Sequence, residues 1–271
     1  MPAIDIGQIR GESAELARLF GDPASFALAT REFFHVHSVP TYKQSLVVSM
    51  HAPLKTLGTP APVLRTLLGV LRKVAAANPL HTLAVAERLW ADPVREQRRL
   101  AVSLLGLAVN GCPPEAEAVM HRWLFALDDL ELINLLAAEV CSVWLTGDLY
   151  TRIEPVRQWV NSPHKYQRQF GVMALAAAAK NRSFRDVSAA LGAMTGVMRE
   201  NDPEVRKSVA HALRDLSANG PGEVARFLGE WADTVDKNTN WIVRHAMEKL
   251  DADTRTALTQ SLRGGRSGDM V

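Results

Sequence analysis

Short apolar stripes separated by capped polar breaks recur along the chain. In DPVREQRRLAVSLL (Asp92–Leu105), SPHKYQRQFGVMALA (Ser162–Ala176) and DPEVRKSVAHALRDL (Asp202–Leu216), an Asp or Ser precedes a Pro, a basic residue follows, and apolar residues then fall at i, i+3, i+4 and i+7. Each reads as an N-cap, a Pro at the first helical position and an amphipathic helix. Looser copies, DDLELINLLAAEV and NTNWIVRHAMEKL, open at Asp128 and Asn238, so the starts at 92, 128, 162, 202 and 238 are spaced by 36, 34, 40 and 36 residues. Second helices are predicted between them, over Leu83–Trp90, Glu115–Leu127, Ile153–Val160, Ser188–Met198 and Glu223–Trp231. A helical hairpin of this length cannot bury its own apolar face, so pairs at this period stack into a HEAT-like array. The expected fold is all-α, a HEAT-like helical-repeat solenoid (an α-α superhelix) with a concave basic face.

The boundaries expected are a helical cap over residues 1–53, the repeat array over 54–262 and a disordered tail over 263–271. Helices are predicted in the cap at Ser13–Leu19 and Ser25–Phe34, followed by a Pro-punctuated stretch, Val39–Pro62, that reads as cap or as a short extra helical pair. Composition agrees with this reading. Aromatic residues are 6% of the chain, and Ala and Leu recur throughout, which favours helices over a β-sandwich. The longest apolar run, Val172–Ala179, is far short of the roughly 18 to 20 residues that cross a bilayer. Met1–Gly11 has no hydrophobic signal region, so a cytoplasmic protein is expected. Cys112 and Cys141 sit in apolar helical surroundings and read as reduced core residues.

Phosphate-binding loops, nucleophile elbows and zinc-protease motifs are absent from the sequence. His35 and His37 point to different faces of a helix and, with His51, lack a Cys or carboxylate at ligand spacing, so neither metal nor cofactor is expected. A net charge of +2 says little by itself. Its distribution says more: Tyr150–Asp215 holds eleven Lys and Arg against six acids. Arg99, Arg168, Arg206 and Arg244 fall early in the capped helices that open at 92, 162, 202 and 238, where repeat symmetry would align them on one face. Such a row suits a phosphate backbone. It equally suits a structural ladder in which each Arg pairs with an acid of the next repeat, and the pattern leaves both open. Trp90, Trp123, Trp144, Trp159 and Trp231 lie within apolar stripes and read as core, whereas Trp241, beside Arg244 and His245, reads as a surface contact.

Over about residues 50 to 250 the sequence resembles the AlkD and AlkC group of DNA alkylation repair proteins, bacterial HEAT-like DNA glycosylases. The stretches that carry the resemblance are LKTLGTPAPVLRTLL, AERLWADPVREQRRLAVSLL, RQWVNSPHKYQRQFGVMAL, VRKSVAHALRDLSANGPGEVARFLGEW and NWIVRHAMEKL. It implies a basic cleft that grips double-stranded DNA and, in active members, hydrolysis of the N-glycosidic bond of N3- or N7-alkylated purines. Such a lesion is already cationic and leaves without a general acid. The main catalytic task is to stabilise an oxocarbenium-like sugar, which a carboxylate and aromatic faces can do. By the resemblance, the phosphate-gripping Arg is Arg168; the charge pattern adds Lys165, Arg206, Lys207, Arg214, Trp241, Arg244 and His245 as further candidate DNA contacts. The active-site Asp falls at Asn134, its aromatic partner at Leu130 and a second cleft Trp at His211. Glu131, one turn before Asn134, is the carboxylate that would have to substitute.

The first reading is therefore a monomeric DNA-binding protein of this group, a glycosylase for alkylpurines with an altered or degenerate site, or a member that recognises DNA without excision. The alternatives are a non-enzymatic HEAT scaffold for an acidic protein partner and, further off, a small-molecule enzyme in the manner of the bilin lyases.

Overall fold

The computed structural model of the chain describes residues 5–39, 54–147, 149–181 and 184–264. Most of the Pro-punctuated stretch, including His51, lies outside the described residues, as do Arg182 and the tail from residue 265. The described residues form helices, apart from turns and one isolated parallel bridge between Lys55 and Val94. They divide into two compact units, residues 1–140 and 141–271.

In the first unit, α1 (Ile6–Arg18), α3 (Ala61–Ala77), α5 (Arg95–Ala108) and α7 (Leu130–Leu136) pack side by side as one layer. The second layer is formed by α2 (Pro23–Val36), α4 (Pro79–Trp90) and α6 (Pro113–Phe125). Fully buried Leu67 and Leu71 of α3, Leu89 of α4 and Leu100, Leu104 and Leu105 of α5 fill the space between them. Each hairpin thus buries its stripe against its neighbours, which is the HEAT-like repeat. The two N-terminal helices, α1 and α2, stack on α3 and α4 as a further hairpin of the same kind.

The second unit repeats the plan. Here α8 (Ser142–Gly147), α10 (Lys165–Ala179), α12 (Pro203–Leu216) and α14 (Lys237–Ala246) pack in sequence. Against them lie α9 (Leu149–Val160), α11 (Val187–Met194), α13 (Pro221–Ala232) and α15 (Ala252–Gly264). Trp144, Trp159 and Phe170 form a buried aromatic cluster, with Trp159 and Phe170 edge to face at 4.9 Å. Trp123 is also buried, but Trp90 and Trp231 are only half-buried, so those two contribute to the core through one face.

Four helix starts differ from the expected ones, α7 by a single residue, with Asp129 rather than Asp128 as its N-cap. Asp202 caps α12 as read, its carboxylate accepting from the Glu204 and Val205 amides. Asp92 and Pro93, by contrast, stay outside α5, whose N-cap is Val94. The cause is the bridge: the Lys55 amide donates to the Pro93 carbonyl and the Arg95 amide to the Lys55 carbonyl, which holds Val94 extended. Ser162 and Pro163 precede α10 in the same way, with His164 at the cap and the Arg168 guanidinium on both of their carbonyls. The last repeat starts earlier than read, with Asp236 rather than Asn238 as the N-cap of α14. The chain also passes through five residues of π-helix, Ala137–Cys141, directly after α7.

Candidate nucleic-acid interface

The first turn of α5 is the polar hub of the first unit. Arg95, 6% exposed, donates to Glu131 at 2.7 Å from one nitrogen and forms an ion pair with Asp129 at 2.7 Å through another. Arg99, one turn on, reaches the other Glu131 oxygen at 3.4 Å. Glu131 is therefore held between two guanidinium groups. Next to Arg95, the buried Glu96 accepts from the backbone amides of Leu57, Gly58 and Thr59. That loop needs Gly58, whose φ of 83° lies in the left-handed region.

Asn134, one turn beyond Glu131 on α7, is half-buried, and its Oδ1 accepts no hydrogen bond among the described residues. Its neutral carboxamide supplies a dipole where a carboxylate would supply a full charge. Leu130, where the resemblance implies an aromatic residue, lies one turn before it. The sequence reading missed Glu139, the half-buried acid of the π-helical segment. Burial pushes its carboxyl above the usual range, against the lowering effect of a Ser103 hydrogen bond and the nearby Arg99 and Arg72 charges. The main chain of this segment lies hard against α5: a Cβ on Gly106 would come within 2.6 Å of the Glu139 carbonyl oxygen. A π-bulge leaves no composition signal, so periodicity alone could not have found it.

In the second unit Arg168 uses all its nitrogens internally. Nε and Nη2 hold Glu200 in a fork at 2.7 and 3.1 Å, and Nη1 takes the Ser162 and Pro163 carbonyls at 2.9 and 3.0 Å. The acid is 6% exposed and also accepts from the Asp202 amide. Arg206 bonds the Asn238 side chain and lies over the Trp241 ring at 5.0 Å. Trp241 in turn stacks on His245, centroids 3.8 Å apart and planes 21° apart. Arg214 reaches Glu248 at 2.7 Å, and Asp215 joins His211 at 3.2 Å to Lys249 at 3.1 Å.

Lys165 faces Asp202 at 3.9 Å and Lys207 faces Glu204 at 2.8 Å, both with largely exposed heads. Arg244 is exposed beside the Trp241 stack. Three pairs, Arg99–Glu131, Arg168–Glu200 and Arg206–Asn238, share an offset of 32 residues, just under the repeat period. That offset was present in the sequence, but spacing alone does not tell a ladder from a row facing phosphates. His37, one of the histidines weighed for a metal, is engaged by Glu12 at 2.5 Å.

A family model for DNA alkylation repair enzymes matches residues 31–250. No curated protein matches the chain. Among solved structures it is similar to AlkD2 from Streptococcus mutans, at 19% identity and a TM-score of 0.53 over 70% of this chain and 100% of that one. A second S. mutans structure, smu.31 of strain UA159, gives 20% identity and 0.52 over 69% and 100%. A predicted DNA alkylation repair enzyme from Enterococcus faecalis gives 15% identity and 0.59 over 83% and 95%. At these identities the structural likeness is one of fold.

Proposed function

The chain belongs to the DNA alkylation repair enzyme family, and from that premise we propose that it binds double-stranded DNA through the phosphate backbone and excises N3- or N7-alkylated purines slowly at most. One observation carries the second half of the reading: α7 offers no uncommitted negative charge. Asn134 is neutral, and Glu131 is neutralised by Arg95 and Arg99. An alkylated purine leaves as a neutral base, so the positive charge passes to the sugar in the transition state. A fixed carboxylate facing that sugar typically contributes about 100- to 1,000-fold in rate, and here that contribution is missing.

For DNA contact, the exposed heads of Lys165, Lys207 and Arg244 and the Arg206–Trp241–His245 stack are the groups of the second unit suited to phosphate and sugar. Arg168 and Arg214, engaged with Glu200 and Glu248, serve first as struts between repeats. His211, held by Asp215, offers an imidazole where the resemblance implies an indole, a smaller stacking surface.

The test is base release from N7-methylguanine duplex, run beside a binding isotherm. Wild type is expected to bind and to release base slowly or undetectably, and Asn134→Asp to raise the release rate with binding little changed. Release by wild type at a rate Asn134→Asp does not improve would remove Asn134 from the site, and failure to bind duplex DNA at low salt would remove the family-based reading altogether.

A further inference from the structure

Four cations of the first unit without an ionic partner among the described residues are carried by α1 and α3. Helix α3 carries Arg65, Arg72 and Lys73 and no acidic residue. Among the described residues neither these three nor Arg10 of α1 makes an ion pair or a side-chain hydrogen bond. The acid whose titration Arg72 influences, Glu139, is the one that burial inclines to neutrality. In the same layer Arg95 and Arg99 are consumed by Asp129 and Glu131, so the contrast is sharp.

Arg10, Pro62, Arg65, Thr66, Gly69 and Val70 line a groove of ≈ 510 Å³. Arg65, Gly69 and Arg72 fall at i, i+4 and i+7 and share one helix face. Gly69 is unexplained by packing, since a Cβ there would meet nothing within 4 Å. A mid-helix Gly costs about 0.5–1 kcal/mol relative to Ala, and its characteristic use is to let another backbone come close. An open glycine between two unpaired arginines therefore combines positive charge with room for a strand. The axial rise from Arg65 to Arg72 is about 10 Å, enough for the two heads to serve different phosphates.

We propose that this groove is a phosphate-backbone site for one strand of duplex DNA, in which Arg10 and Arg65 grip one phosphate region, Arg72 the next, and Gly69 admits the sugar-phosphate chain between them. It rests on the DNA-binding reading above and extends it to α1, whose Arg10 lies outside the matched stretch 31–250.

The experiment is duplex binding by fluorescence anisotropy across a salt series, with thermal melting of each variant as the folding control. Arg10→Ala combined with Arg65→Ala should weaken binding about tenfold or more and reduce the slope of log K against log salt by about one unit, for the one phosphate region the two arginines share. Gly69→Gln should weaken binding with the slope unchanged, while melting no lower than wild type because a better helix former replaces Gly. Wild-type binding retained with the same affinity and slope in the double variant would overturn the groove and leave the DNA-binding reading intact. A weakened affinity with an unchanged slope would likewise overturn it, because the two arginines would then have been neutralising no phosphate. Absence of wild-type binding would overturn both.

Discussion

Burial raises the Glu139 carboxyl above its ordinary range, against the Ser103 hydrogen bond and the Arg99 and Arg72 charges, and this gives stability a pH dependence of unusual sign for a carboxylate. Its carboxyl is raised above its ordinary value of 4.5. A group of this kind binds its proton more tightly folded than unfolded, so its contribution to stability is complete below the ordinary value and is lost as pH climbs through the raised one. Glu139→Gln abolishes that titration. The variant should therefore melt above wild type at about pH 7, and the advantage should vanish by about pH 4. An equal gain at both values would mean that the charge is not what matters. Asp92 shows at the same scale why residue type alone misleads. Its Asp-Pro pairing reads as a helix cap, yet its carboxylate faces Arg31 at 3.3 Å and the cap lies two residues on, because a backbone bridge to Lys55 decides the local conformation.

At the level of the helices, the inner row of arginines could be read from sequence as a phosphate contact or as a ladder. Geometry separates the two where spacing could not, because an Arg at a helix start looks the same whether its partner is a solvent-borne phosphate or an acid 32 residues away. The Arg168–Glu200 fork joins the start of α10 to the segment before α12, with 20% and 6% of the two side chains exposed. A double-mutant cycle on chemical denaturation, using Arg168→Ala, Glu200→Gln and the pair, should give a coupling energy of about 1–3 kcal/mol. Additive singles would leave Arg168 available for DNA. The helices themselves were legible because every stripe is amphipathic. The turn of π-helix after α7 was not, since it changes how Ala137–Cys141 are wound without changing which residue types they are.

The whole molecule was most legible in its period. Starts spaced by 34 to 40 residues became successive inner helices in each unit, with caps at Val94, Asp129, His164, Asp202 and Asp236. What the period did not convey is how the N-terminal helices belong to the array. Three neighbouring positions at the start of α5 reach back to that part of the chain. Gln97 meets the Thr30 hydroxyl at 3.1 Å and the Ala27 carbonyl at 2.7 Å, Glu96 collects the amides of the 57–59 loop, and Asp92 meets Arg31. Gln97 is fully buried. A chain begun at residue 54 would thus strip Gln97 and Asp92 of their partners on α2 and would open an apolar seam on α3 and α4. Such a fragment should be degraded under native trypsin digestion that leaves the full chain intact. A quality-control protease would then discriminate against an aberrant translation start there well before any difference in DNA handling could be felt.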